Sequence, residues 1–302
     1  MISDVGLGSL AARLNRPAWL PKAVWPFATF SLRVDNLELA VTDTGNGPVL
    51  LFVHTGMWSF LWRDVMKLLS SGFRCVCFDV PGSGRSIVPG DAEITLHRAA
   101  RSVTSVIENL GLTGITLVLH DLGGLAGLAG VAGLQERISG VIAMNTFAWR
   151  PHKAGLRFML ALMGSWPMRE IDVITQYLPR ITITDFGIGR HMDQDSRAAF
   201  LAGMGTRGIR AFHDYMHDAR RCHDLYDRVD ALLQSTFSRL PLLTVFGELN
   251  DPFGFQQRWK ELFANSTDLV VPGGHHFPMC DAPDLVASTI RSWHQECVQN
   301  SM

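Results

Sequence analysis

The stretch of sequence that decides the fold reads Leu119-His120-Asp121-Leu122-Gly123-Gly124. It overlaps residues 115–120, an apolar and β-branched run that predicts a buried strand, and it opens a segment of small residues that predicts a helix. A sharp strand-to-helix turn of this kind lifts one side chain above the edge of a sheet, and small neighbours let the backbone pass closely. Asp121 stands at the centre of the turn, where a nucleophilic serine is usual.

An aspartate at the centre of such a turn indicates a particular chemistry. A carboxylate does not serve as a deprotonated alcohol, but it can attack an sp³ carbon and form an ester. The positive end of the following helix favours the ionised form of Asp121. The alternative is that Asp121 only caps that helix, because Asp is a common N-cap residue. Residues elsewhere in the chain are needed to decide between a nucleophile and a cap.

The rest of the chain alternates short apolar runs with helical segments. The runs that predict strands are residues 30–34, 37–42, 49–53, 74–79, 115–120, 138–144, 241–246 and 269–271. From about residue 150 to residue 235 the sequence is helical in pattern and shows no strand rhythm. This order predicts an α/β fold with a mostly parallel, doubly wound sheet. We expect core segments at residues 1–149 and 236–302, with a helical cap inserted at residues 150–235.

Two further loops after predicted strands carry residues that complete a catalytic set with Asp121. Asp251 follows one strand, and His276 follows the last strand. The carboxyl ends of parallel strands share one edge of the sheet, where open α/β sheets bind ligands. A histidine there activates water and is oriented by an acid, and the chain order nucleophile, acid, histidine is that of α/β-hydrolases. His275 and Glu248 are weaker alternatives for these two roles.

With these residues in view, nearly the whole chain resembles α/β-hydrolases of the haloalkane dehalogenase and epoxide hydrolase branch. The segments that carry the resemblance are residues 53–63, 73–86, 120–124, 145–149 and 276–284. The resemblance implies an α/β-hydrolase fold, Asp121 as nucleophile, His276 as the base that activates water, and Asp251 as the acid. Backbone N–H groups of Leu122 and of Thr55 or Gly56 are then the expected oxyanion hole. These assignments predict an alkyl-enzyme ester that is formed and then hydrolysed.

The chain departs from the dehalogenase pattern at two positions. Dehalogenases usually carry Trp directly after the nucleophile to hold the leaving halide, whereas Leu122 has no side-chain N–H. A second donor, often Asn, lies in the loop that here begins at His54 and is one residue shorter. Each such donor is worth roughly 3 kcal/mol of transition-state stabilisation. We predict that Trp58, Trp149 and His120 bind the substrate, with Trp58, Trp62 or Trp149 taking over one donor role.

Three hypotheses for the function stay open. The first is hydrolysis of C–halogen bonds through Asp121, and the second is the same chemistry on epoxides. Epoxide hydrolases protonate the opening ring with cap tyrosines, and the predicted cap holds Tyr177, Tyr215 and Tyr226. The third hypothesis is a ligand-binding or otherwise non-hydrolytic protein that kept the catalytic triad.

Composition limits the partners of the protein. The formal net charge of -1 favours neither nucleic acid nor an anionic membrane, and the apolar stretch at residues 122–134 is too short to span a bilayer. The five cysteines form no CxxC pair, and no secretory signal is evident, so we expect a cytoplasmic protein without disulfides. His213 and His217 share a helix face without a zinc motif. We expect a small apolar ligand and neither metal nor organic cofactor; the oligomeric state stays open.

Overall fold

The computed structural model describes residues 12–90 and 92–299 of the chain, and within these ranges nine strands form a single sheet. In chain order the strands are β1 (Ala12–Arg13), β2 (Phe30–Val34), β3 (Leu37–Thr44), β4 (Val49–Val53), β5 (Arg74–Phe78), β6 (Ile115–Asp121), β7 (Ile138–Thr146), β8 (Pro241–Gly247) and β9 (Asn265–Val271). Their order across the sheet is β1-β2-β3-β5-β4-β6-β7-β8-β9.

The sheet is parallel except at one edge. Strands β5, β4, β6, β7, β8 and β9 run parallel, and β1, β2 and β3 form an antiparallel edge next to β5. Every residue of β4 is buried, as expected for a strand that is covered on both faces. Alternate residues of β4 enter two separate apolar cores, Leu51 one and Phe52 the other. The predicted α/β fold with a mostly parallel sheet is confirmed.

Helices cover both faces of the sheet. In chain order they are α1 (Arg63–Leu69), α2 (Leu96–Asn109), α3 (Gly123–Gly130), α4 (Ala154–Met163), α5 (Trp166–Thr175), α6 (Tyr177–Thr182), α7 (Gln194–Asp218), α8 (His223–Leu233), α9 (Phe255–Leu262), α10 (Pro278–Asp281) and α11 (Pro283–Trp293). Helices α2, α3 and α8 pack together on one face, and α1 and α11 pack together on the other. No helix in the described ranges is both long enough and apolar enough to cross a membrane.

The last strand is longer than the apolar pattern predicts. β9 begins at Asn265, whereas the sequence predicts a start at residue 269. Residues 265–268 pair with β8, but their side chains are polar and mostly exposed at the edge of the sheet. Strand pairing is made by backbone groups, so this part of β9 leaves no apolar signal in the sequence.

Between β7 and β8 the chain forms helices α4 to α8, and this stretch, which the structure describes throughout, contains no strand. Helices α4 to α7 pack on one another. Helix α8 packs instead on α3, with Leu225, Tyr226 and Val229 buried in a core of the sheet. The inserted helices therefore divide into a group that packs on itself, α4 to α7, and one helix that covers the sheet.

Candidate active site

Asp121 lies at the carboxyl end of β6 in a strained turn. Its φ of 54° is in the left-handed region, which residues other than glycine rarely adopt. The two glycines that follow leave no room for a side chain. A Cβ on Gly123 would lie 2.3 Å from the carbonyl oxygen of Val53, and one on Gly124 would lie 2.2 Å from Oγ1 of Thr146. The sequence around Asp121 thus forms the tight elbow that presents its carboxylate above the sheet.

The carboxylate of Asp121 has two different partners. Oδ2 lies 2.9 Å from Nε2 of His276, which comes from the loop after β9. Oδ1 accepts a 2.5 Å hydrogen bond from the backbone N–H of Leu122, at the start of α3. The structure therefore brings together Asp121, His276 and one of the backbone groups that the sequence predicts for the oxyanion hole.

The predicted acid Asp251 does not contact His276, and its assignment as the partner of this histidine is wrong. Its carboxylate instead accepts hydrogen bonds from the backbone N–H groups of Phe255 at 2.7 Å and Gln256 at 3.0 Å. Asp251 thereby caps the first turn of α9, a common role for Asp. The residue next to it, Asn250, takes the place at the histidine. Its Oδ1 lies 3.1 Å from Nδ1 of His276.

The two weaker alternatives for these roles are also engaged elsewhere. Glu248 accepts a hydrogen bond from the backbone N–H of Gly273 rather than from His276. The ring of His275 packs against Phe186 rather than against Asp121. Of the two neighbouring histidines, His276 is the one whose ring nitrogen faces Asp121.

Asn145, near the end of β7, joins the site although the sequence analysis gives it no role beyond its place in residues 145–149, one of the segments that carry the family resemblance. Its side chain is buried, and its φ of 37° is again left-handed. Oδ1 of Asn145 accepts from the backbone N–H of Gly247 at 2.9 Å, and Nδ2 donates to Oδ1 of Asn250 at 2.9 Å. A chain of side chains thus runs from Asn145 through Asn250 and His276 to Asp121. The only feature of the sequence that indicates a role for Asn145 is that it directly follows the predicted buried strand at residues 138–144.

His120 is predicted to bind substrate, but it is buried beneath the site. Its Nδ1 lies 2.9 Å from Nδ1 of His54, and its Nε2 donates to the backbone carbonyl of His276 at 2.8 Å. Because Nε2 of neutral His120 carries the proton, Nδ1 is the acceptor and His54 donates to it. His120 therefore holds the backbone of His276 and does not line the cavity, and its assignment to substrate is wrong.

The enclosed position of these groups sets their charges. Burial lowers the pKa of His54 to about 4 and lowers the pKa of His120 well below its ordinary value, so both rings are neutral at pH 7. Burial acts to raise the pKa of Asp121, but the hydrogen bond and the charge of His276 outweigh it and hold that pKa well below its ordinary value. Asp121 is therefore ionised, as a carboxylate nucleophile must be.

Asp121 and His276 lie at the base of a cavity of about 450 Å³. Its wall is mostly apolar, and α4 contributes Leu156, Leu160 and Met163 to it. Thr55, from the loop after β4, also lines the cavity; its hydroxyl is buried and has no hydrogen-bond partner among the described residues. Gly56 has a φ of 78°, and a Cβ there would strike the ring of Phe212. The site is built to enclose a small apolar molecule.

Neither predicted tryptophan lines this cavity, so both assignments to substrate are wrong. Trp58 is buried in the core, where its indole N–H donates to the backbone carbonyl of Phe200 at 3.4 Å. Trp149 packs edge-on against Phe255 and Trp259. Among the described residues that line the cavity there is no Trp. An indole donor for a leaving group is therefore not provided by these residues.

The three tyrosines, all in the described part of the chain, also lie away from the cavity. The hydroxyl of Tyr215 donates to the carbonyl of Pro81 at 2.8 Å, and that of Tyr226 donates to the carbonyl of Ala219 at 2.8 Å. Tyr177 is exposed at the start of α6. None of them is in a position to protonate a ring oxygen at Asp121.

Comparison with known proteins agrees with this architecture. A family model described as alpha/beta hydrolase fold matches residues 48–169. Haloalkane dehalogenase 2 of Mycobacterium tuberculosis is 26% identical over 274 residues, which cover 88% of this chain and 95% of that protein. A cis-3-alkyl-4-alkyloxetan-2-one decarboxylase of Shewanella oneidensis is 25% identical over 290 residues, which cover 90% of this chain and 89% of that protein.

Among solved structures, a loop variant of the haloalkane dehalogenase DbeA from Bradyrhizobium elkanii superposes with a TM-score of 0.75 at 19% identity, covering 90% of this chain and 98% of that one. The sheet, the elbow at Asp121 and these matches define the class of protein: the chain has the α/β-hydrolase fold. Within that class it is haloalkane dehalogenase-like.

Proposed function

We propose that this α/β-hydrolase uses Asp121 to attack an sp³ carbon of a small apolar substrate and that His276 then drives hydrolysis of the ester, in the manner of a haloalkane dehalogenase. The observation that carries the proposal is the 2.9 Å contact between Asp121 Oδ2 and His276 Nε2 at the base of an apolar cavity. A buried, ionised carboxylate with a base beside it suits displacement followed by hydrolysis.

In the first step, Asp121 attacks the carbon of the substrate, the carbon–oxygen bond forms, and the leaving group departs with the bonding electrons. The depressed pKa of Asp121 keeps it ionised for this attack. The apolar cavity wall holds the substrate close to the carboxylate, which supplies much of the rate through proximity. The product of this step is an uncharged alkyl ester of Asp121.

In the second step, water attacks the carbonyl carbon of that ester while Nε2 of His276 takes its proton. Charge develops on the ester oxygen that corresponds to Oδ1, which already receives the N–H of Leu122. Backbone groups of Thr55 and Gly56 lie on the adjacent loop and are the proposed second half of this oxyanion hole. Collapse of the intermediate releases the alcohol, which takes the proton from His276. The remaining proton of the attacking water then leaves the carboxyl group of Asp121 through His276 to solvent, which restores the carboxylate.

The inserted helices supply the apolar pocket in this proposal. Residues 150–235 are the proposed cap between core segments 1–149 and 236–302, and α4 to α7 form its body. Support comes from Leu160 on α4, Leu178 on α6 and Met216 on α7, which all line the cavity. The cap therefore sets which substrates fit, while the core carries the chemistry.

A second candidate function is opening of a strained β-lactone. The specific observation in its favour is the lack of Trp and Tyr among the described residues that line the cavity. A departing alkoxide, as from an epoxide, needs a proton donor, and a departing halide is usually held by N–H donors. A β-lactone attacked at its ring sp³ carbon releases a tethered carboxylate, which needs neither.

Completion of that reaction needs no water. The tethered carboxylate loses CO₂, its electrons form a C=C bond, and the carbon–oxygen bond to Asp121 breaks to return the carboxylate. The relative from Shewanella oneidensis is named for this class of substrate and reaction. His276 as a base is dispensable on this route, which separates it experimentally from the hydrolytic one.

Intact-mass analysis of His276→Phe after incubation with haloalkanes, epoxides and β-lactones tests the proposal. Loss of the base should trap the ester on Asp121. An adduct lighter than its substrate by HX identifies dehalogenation, and an adduct of the full substrate mass identifies epoxide opening. Alkene and CO₂ from a β-lactone, at a rate that His276→Phe preserves, identify the second candidate. An adduct that persists in Asp121→Ala contradicts the assignment of the nucleophile.

A further inference from the structure

The side-chain amide of Asn145 is held in one orientation by two backbone groups. Its Oδ1 accepts from the N–H of Gly247 at 2.9 Å, and its Nδ2 donates to the carbonyl of Asn250 at 2.7 Å. A backbone N–H only donates and a backbone carbonyl only accepts. Turning the amide over would place donor against donor and acceptor against acceptor in a buried site, which is costly.

The fixed amide of Asn145 in turn determines the orientation of Asn250. Nδ2 of Asn145 lies 2.9 Å from one side-chain atom of Asn250, which must be the oxygen because Nδ2 donates. The same oxygen lies 3.1 Å from Nδ1 of His276. Nδ1 of His276 therefore carries a proton, and once Asp121 has become an ester the neutral ring has its lone pair on Nε2, the nitrogen that faces residue 121.

We propose that Asn145 is a positioning residue that acts through Asn250 to hold His276 in the tautomer whose Nε2 accepts a proton from water. This inference rests on the proposed role of His276 as the base. It concerns how the chain orients that base with two amides, because the side chain at Nδ1 of the ring and the next side chain beyond it are both uncharged.

An amide partner needs this second residue for a chemical reason. A carboxylate next to Nδ1 accepts a hydrogen bond in either orientation, whereas an amide has an accepting end and a donating end. An unrestrained Asn250 would be able to turn its NH₂ towards Nδ1, which would place the ring proton on Nε2 and abolish the base. Asn145 removes that choice. Its left-handed backbone, with a φ of 37°, is a strained conformation of the kind that persists where the surroundings enforce it.

A double-mutant cycle tests the proposal through decay of the Asp121 ester in single turnover, with His276 present in every variant. Asn145→Ala should slow ester hydrolysis at least about tenfold, and up to about 10⁴-fold if the wrong tautomer predominates. In an Asn250→Asp background the carboxylate has no donating end, so Asn145→Ala should then change the rate less than about threefold. Equal losses in the two backgrounds would overturn the proposal, because a purely structural role of Asn145 is independent of the chemistry at residue 250.

A matched control for this cycle is Asn265→Ala. Nδ2 of Asn265 also donates to a backbone carbonyl, that of Arg239 at 3.1 Å, but it does so on the exposed edge strand β9. We expect ester hydrolysis in Asn265→Ala to match that of the wild type. A slowing equal to that of Asn145→Ala would assign the effect to general loss of an amide contact and would count against a positioning role.

The tautomer itself is measurable without any substrate. In ¹⁵N-histidine-labelled Asp121→Ala, the signal of His276, assigned by its loss in His276→Gln, should report a neutral ring protonated at Nδ1. Adding Asn145→Ala should move the population towards Nε2–H. Protonation at Nε2 in the parent overturns the positioning inference even if the Asp121 ester forms. Protonation at Nδ1 supports it even if no compound esterifies Asp121, in which case the proposed function alone fails.

Discussion

Acid should destabilise this protein through the buried pair His54 and His120. The two rings are buried beneath the loop that carries His276, with their Nδ1 atoms 2.9 Å apart, a geometry that shares one proton. Burial lowers the pKa of His54 from its ordinary 6.5 to about 4 and lowers that of His120 in the same direction. The unfolded chain then binds protons at a pH where the folded chain does not, so the free energy of unfolding falls as the pH falls.

The size of the effect follows from the shift at His54. Its contribution to stability is complete above pH 6.5 and is lost as the pH falls towards about 4. This difference in pKa lowers the free energy of unfolding by roughly 3 kcal/mol at a pH below both pKa values. Between about pH 7.5 and about pH 5 the loss is about 2 kcal/mol. The pKa of Asp121 is depressed, so this carboxylate titrates below about pH 5 and does not contribute to the change between about pH 7.5 and about pH 5.

Urea unfolding of the wild type and of His54→Asn at these two pH values measures this contribution. Asn offers His120 an amide partner but does not titrate. We expect the loss of unfolding free energy on acidification to be about 2 kcal/mol smaller in His54→Asn than in the wild type. The exposed His152, changed to Asn, is the matched control and should leave the loss unchanged. The same loss in His54→Asn as in the wild type would refute the burial argument.

Three further predictions concern the elbow at Asp121, the cavity, and the side chain of Asp251 that caps the N-terminus of helix α9. Gly124→Ala should lower the unfolding free energy by about 1–3 kcal/mol in urea, since its Cβ meets a side-chain oxygen at 2.2 Å; Gly133→Ala, with open space, should not. Leu160→Trp should raise KM by about tenfold or more by filling the cavity, whereas Leu162→Trp at the surface should not. Asp251→Ala should cost about 1 kcal/mol of stability and change ester hydrolysis less than about twofold.

The strands and helices around the site follow closely from local patterns. Apolar runs at residues 49–53 and 115–120 become β4 and β6, and the small residues after Asp121 become α3. These segments are predictable because burial of a parallel strand on both faces demands a continuous apolar run. The polar start of β9 escaped prediction because it pairs at the edge of the sheet through its backbone.

The partners of the catalytic side chains do not follow from local patterns. Asp251 and Asn250 are neighbours after β8, and residue type favours the carboxylate as the partner of His276. The turn after β8 directs Asn250 to the ring and leaves Asp251 to cap α9. Trp58 and Trp149 each carry an indole N–H that could donate to a halide. Trp58 instead packs in the core, and Trp149 packs against Trp259 at the edge of the core. These outcomes depend on the direction of single side chains.

The sequence by itself determined the class of fold, the elbow with Asp121 at its centre, and the loop that carries His276. It did so because periodicity, glycine at close approaches and strand-to-loop order are local properties of a chain. The tertiary structure alone decided that an amide pair, Asn145 and Asn250, orients the histidine. The contacts between these side chains depend on small differences in side-chain direction at three separate strand ends. The spacing of residues along the chain does not encode those directions.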